Sequence, residues 1–163
     1  MKCLNSIILG LSLGFLIELS PLGSFSNPVP IDPSKLNSLK DSIKKMDSLV
    51  KTMVSNNPNL CLKNAQKALN YARILGTSED LIHGYSLMGQ AFYMKNKDSS
   101  YIYFNKALKL ADSAKINAPK PFLLLNCATL YYIAKDFKMA IVLLDSCIKF
   151  ADSQKDYTTM SQA

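Results

Sequence analysis

Apolar residues recur at intervals of three and four along most of this chain, in three successive blocks that each divide into two stretches. The first stretch of each block covers residues 35–55, with Leu36, Leu39, Ile43, Met46, Leu49, Val50 and Met53, then 80–95, with Leu81, Tyr85, Met88, Phe92 and Tyr93, then 122–135, with Leu124, Cys127, Tyr131 and Tyr132. The second stretches cover 59–72, 98–111 and 138–151. This spacing places one apolar stripe on each of six helices. Helix-ending residues separate them. Asn57-Pro58 offers a cap followed by proline at the first helical position, Leu75-Gly76 supplies a glycine stop, and Thr77-Ser78-Glu79-Asp80 starts the next helix. Asp98 and Asp136 are the expected caps of the second helices of their blocks, and Pro119 and Pro121 confine the longer connection between the second and third blocks.

The blocks repeat. Lys67-Ala68-Leu69 recurs as Lys106-Ala107-Leu108, and the register continues to Cys147, a period of about 40. Three helix pairs are expected, over 35–76, 77–117 and 118–153, with 154–163 beginning an incomplete fourth. The fold class is all-α, a solenoid in which each pair buries the apolar flank of the next.

Here the chain resembles the tetratricopeptide repeat family. Tyr85, Met88, Gly89 and Phe92 stand where that family's first helix has its large, small and aromatic residues, and Leu124, Cys127, Ala128 and Tyr131 do so in the next pair. In the second helices Ser100, Phe104 and Ala107, then Ala140, Leu144 and Cys147, take the small-large-small pattern, with Cys61, Ala65 and Ala68 a looser match. The resemblance implies a right-handed curl whose first helices line a concave groove that holds a peptide or a partner's helix. By motif position the groove receives Lys44, Asp47, Lys51 and Val54, then His83, Ser86, Gln90 and Tyr93, then Phe122, Leu125, Thr129 and Tyr132. Some family members grip a carboxylate with a Lys/Asn/Arg clamp. The matching places hold Ser86, Gln90 and Leu125, with Asn126 left over, so that ligand is not expected. The long period further resembles the repeats that precede the kinase in certain bacterial sensor histidine kinases and regulators.

Residues 1–26 follow another pattern. Met1-Lys2 gives a positive start, residues 4–19 are almost wholly apolar, and Gly23-Ser24-Phe25-Ser26 offers small residues for cleavage. That order is a secretory signal, and it is shorter than the ~20 apolar residues of a spanning helix. An N-terminal membrane anchor is the alternative. Residues 27–34 form a proline-rich spacer.

Composition changes little. Net charge is +7, but the basic residues are mostly isolated lysines and Arg73 is the sole arginine. The densest group (Lys35, Lys40, Lys44, Lys45, Lys51) is interrupted by Asp41 and Asp47, which argues for a solvated face over a nucleic-acid surface. Cys61, Cys127 and Cys147 fall on apolar stripes, where free buried thiols are expected, although a Cys127–Cys147 bridge is conceivable in an exported protein. His83 is the only histidine, and no hydrolase, zinc-protease or phosphate-loop motif occurs. The expectation is therefore a non-catalytic interaction module with no cofactor and no metal. It would be exported and would act in sensing or scaffolding, with a structural envelope scaffold or an accessory enzyme subunit as alternatives. Self-association is expected through the uncovered end of the last pair.

Overall fold

The computed structural model describes residues 32–153 and residue 159. The expected signal segment, most of the spacer and nearly all of the incomplete fourth repeat lie outside the described residues. Six helices follow in order: α1 (Pro33–Met53), α2 (Pro58–Leu75), α3 (Ser78–Phe92), α4 (Lys97–Ser113), α5 (Lys120–Ile133) and α6 (Phe137–Ser153). No strand occurs among the described residues. Each helix packs against its neighbours in sequence, so the residues form an all-α solenoid of three helix-turn-helix units. The seam between α4 and α5 is slighter than that between α2 and α3.

Local chemistry sets the boundaries. Pro33 opens α1 because a proline at the first position removes an N–H that the helix leaves unpaired anyway, and Asp32 caps it by accepting from the Ser34 N–H at 3.0 Å. Asn57 caps α2 through Leu60 N, and Gly76 ends that helix at φ 73°. At α3 the Asp80 N–H donates to Thr77 Oγ1 at 3.1 Å, and the Thr77 hydroxyl donates back to the Asp80 carboxylate at 2.6 Å. Asp136 does cap α6, accepting from Met139 N at 3.1 Å. Asp98 does not cap α4. Asn96 does, accepting from Ser99 N at 2.8 Å, which leaves Asp98 inside the first turn, where its charge favours the helix dipole. The first helices of the three pairs also stop two or three residues earlier than their apolar spacing suggests. After α4 and α5 the chain turns through Lys115 (φ 56°) and Lys135 (φ 64°), and the N–H groups of Ile116 and Asp136 reach back five residues to the Ala111 and Tyr131 carbonyls. These are left-handed helix ends of the kind glycine usually makes.

The repeat register reappears in three dimensions. Gly89 lies so close to Phe104 that a Cβ there would sit 2.7–2.8 Å from the ring. Beside it, the fully buried Ser100 hydroxyl donates to the Gly89 carbonyl at 2.7 Å. Thirty-nine residues earlier the same geometry recurs, with the Cys61 thiol 3.7 Å from the Val50 carbonyl. Small residues are needed at these points because the two helix backbones nearly touch. The core forms two clusters, one around Val50, Cys61, Leu69 and Leu87 and one around Phe104, Leu123 and Cys127.

The three cysteines among the described residues, Cys61, Cys127 and Cys147, are buried and free, so Cys127 and Cys147 are not bridged. Burial pushes the Cys127 thiol up to about 12, which keeps it protonated and unreactive. The Cys147 thiol instead approaches the Pro121 carbonyl at 3.2 Å, tying α6 to the start of α5.

Candidate functional site

A cavity of about 400 Å³ is walled by first helices of all three pairs. Asp47 and Lys51 come from α1, and Glu79, Ile82, His83, Ser86 and Gln90 come from α3. Phe122 comes from α5, and Ile116, Ala118 and Pro119 come from the connection between α4 and α5. Helical spacing explains the α3 contribution: 79, 82, 83, 86 and 90 lie on one stripe.

The sequence-based groove divides here. Asp47, Lys51, His83, Ser86, Gln90 and Phe122 share this wall. Lys44 is exposed and lies 3.8 Å from Asp41. Val54 packs into the first core cluster. Tyr93 rests against the second cluster, with the Lys97 ammonium 3.9 Å above its ring. Leu125 and Thr129 are half-buried and joined by the Thr129 hydroxyl donating to the Leu125 carbonyl at 2.9 Å. The Asn126 amide turns back to the Phe122 carbonyl at 2.7 Å. Tyr132 is exposed and meets Phe137 edge to face at 5.6 Å. Conversely, Ile116, Ala118 and Pro119 belong to a connection outside the repeat register, so the motif gave no reason to place them. Glu79 was visible only as part of the helix start at 77–80, and Ile82 lies outside the apolar spacing that marked this helix.

Charge in the cavity is locally balanced. The Lys51 ammonium donates to Asp47 Oδ2 at 2.8 Å, and His83 Nε2 stands 3.8 Å from Asp47 Oδ1. The second distance is beyond a hydrogen bond. No hydrogen bond joins Ser86 to His83. Asp, His and Ser thus line one cavity without forming a relay. Burial lowers the His83 pKa from its ordinary 6.5. The Asp47 carboxylate opposes that shift and the Lys51 ammonium adds to it.

A pH dependence follows. With its folded pKa depressed, His83 favours the fold in its neutral form. That contribution is present above 6.5 and is lost as the pH falls through the lowered folded value. The melting temperature of the protein is expected to decline on acidification from pH 7 toward 5, and more steeply than that of His83→Gln. Parallel curves for the two proteins would show that the histidine carries none of the effect.

Among the described residues no group of three or more His, Cys, Asp or Glu side chains is placed to hold a metal ion, and no helix is long and apolar enough to cross a membrane. Comparison of the sequence with protein-family models and with curated proteins finds no match.

Proposed function

We propose that the chain is a protein-interaction module of tetratricopeptide type that holds a peptide or a partner's helix in the cavity between α1, α3 and α5. The observation that carries this reading is the cavity's construction: three successive hairpins contribute to one concavity, each from its first helix. Its lining suits an amphipathic segment. Ile82, Ile116, Pro119 and Phe122 offer an apolar floor, while Gln90, Asp47, Glu79 and Lys51 offer donors and acceptors at the edge. Phe122 is 40% exposed, an aromatic ring available for burial by a ligand.

The cellular part of the proposal rests on the sequence. The positive, apolar and small-residue order of residues 1–26 supports export, and the long repeat supports a sensing or scaffolding role in bacterial signal transduction.

The test is a displayed random-peptide library selected on the immobilised protein. Peptides so obtained are expected to bind Phe122→Ala and Gln90→Ala about tenfold more weakly, a difference of ~1.4 kcal/mol, with melting unchanged. Peptides that bind the variants as tightly as the parent would place recognition elsewhere and refute the cavity as the site. Fractionation of cells carrying a C-terminally tagged full chain tests export, with a purely cytoplasmic, unprocessed product counting against it.

A further inference from the structure

The cavity between α1, α3 and α5 carries a charge opposite to that of the chain around it. The sequence has a net charge of +7, yet the ionisable residues on the cavity wall are Asp47, Glu79, Lys51 and His83. Burial favours the neutral form of His83. Two carboxylates therefore stand against one ammonium, and that ammonium is engaged: Lys51 donates to Asp47 Oδ2 at 2.8 Å. Lys44, one turn earlier on α1, lies 3.8 Å from Asp41 and pairs with neither cavity carboxylate. Asp47 Oδ1 accepts no hydrogen bond among the described residues, and His83 Nε2 stands 3.8 Å from it. Glu79 is exposed and makes no ion pair or side-chain hydrogen bond among the described residues. It precedes His83 by one turn on α3, so the free oxygens of both carboxylates border the same end of the cavity.

Further along the same stripe of α3 the wall is polar and lacks partners. Ser86 is only 7% exposed, and its hydroxyl makes no hydrogen bond among the described residues. Gln90, one turn beyond, likewise keeps a free side-chain amide there. A hydroxyl this enclosed disfavours an occupant that lays only hydrocarbon against it. The occupant must bring hydrogen-bonding groups to Ser86 as well as apolar surface to Phe122.

Resting on the reading of this cavity as a peptide-binding site, we propose that it selects a segment carrying an arginine or lysine beside an apolar residue. The cation enters between Glu79 and Asp47 Oδ1, the apolar side chain lies against Ile116 and Phe122, and main-chain groups meet Ser86 and Gln90. An arginine has enough N–H groups to serve both carboxylates at once. Charge complementarity at short range selects this occupant over an acidic one, which the field of the whole chain would favour. Distant lysines are screened over a Debye length of ~8 Å. A cation within hydrogen-bond reach of Asp47, whose side chain is 20% exposed, acts at close range in a partly enclosed site.

The probe is a displayed random-peptide library selected on the immobilised full chain. Peptides so obtained are expected to be enriched in arginine and lysine next to an apolar residue. They are expected to bind Glu79→Gln about fivefold more weakly, with melting unchanged because Glu79 is exposed. That difference is expected to shrink as salt rises from about 50 to about 500 mM, a response that a merely structural role for Glu79 would not produce. Replacing the peptide's basic residue by glutamate is expected to weaken binding to the parent and to strengthen binding to Glu79→Lys. Peptides that depend on Phe122 yet lack the basic residue, or that bind Glu79→Gln as tightly as the parent at low salt, overturn the charge preference while leaving the cavity as the site. Peptides indifferent to both Phe122→Ala and Gln90→Ala overturn the cavity itself, and this inference with it.

Discussion

Phe104→Ala is expected to destabilise the protein by about 3–5 kcal/mol, the largest effect of any single truncation in the structure. Phe104 is the bulkiest side chain with no solvent exposure among the described residues, and it closes the α3–α4 hairpin against Gly89 while contributing to the second core cluster with Leu123 and Cys127. Removing the ring leaves a void that Gly89 has no side chain to fill, and the close approach of two helices, fixed by the Ser100–Gly89 hydrogen bond, prevents collapse. Chemical denaturation followed by circular dichroism measures the loss. A cost below about 1.5 kcal/mol, within the range of a tolerated hydrophobic swap, would mean that the hairpin repacks freely and that the Gly89–Phe104 contact does not hold it.

Gly89→Ala is expected to cost about 1–3 kcal/mol by overpacking, because the added methyl falls on the face of a ring that has no room to move. The repeat itself supplies the remedy. Position 89 of the second pair corresponds to Val50 in the first and Ala128 in the third, while position 104 corresponds to Ala65 and Leu144. The three pairs therefore use Val with Ala, Gly with Phe, and Ala with Leu: where the first helix carries more volume, the second carries less. Gly89→Ala/Phe104→Leu transplants the third pair's solution into the second. It is expected to recover most of the stability that Gly89→Ala loses, although Phe104→Leu alone is itself destabilising. Additive losses in that double-mutant cycle would show that the two positions are not coupled through shared volume.

Much of this fold was legible because its determinants are local and periodic. Apolar spacing marked six helices, and Pro58, Gly76 and Thr77 marked three of their ends. The small residues Cys61, Gly89 and Ser100 marked the close approaches. What escaped was set by groups with no sequence signature. Lysines at 115 and 135 adopt the left-handed turn that sequence reasoning reserves for glycine or asparagine, so the ends of α4 and α5 carried no visible stop. Asn96 and Asp98 are both competent caps, and only the geometry of the preceding turn decides between them. Lys120 reads as a surface residue at the edge of a proline-bound connection. In the structure its side chain is buried, with its ammonium 2.8 Å from Asp112 and 4.9 Å from the centre of the Phe150 ring. The site was half legible for the same reason. Residues on the periodic first helices could be assigned to one concavity, whereas Ile116, Ala118 and Pro119 come from a connection whose path depends on tertiary contacts.

The slight seam between α4 and α5 divides the array unequally, with four helices on one side and the α5–α6 hairpin on the other. Opening at that line parts the slightest of the junctions between successive helices, so amide protons of the last hairpin are expected to exchange with solvent as a group, ahead of those in α2 and α3. The cavity straddles the same line, with Asp47 and His83 on one bank and Phe122 on the other. Whatever bridges the two banks acts as a clasp, and its arrival registers as slowed isotope exchange in helices it never touches.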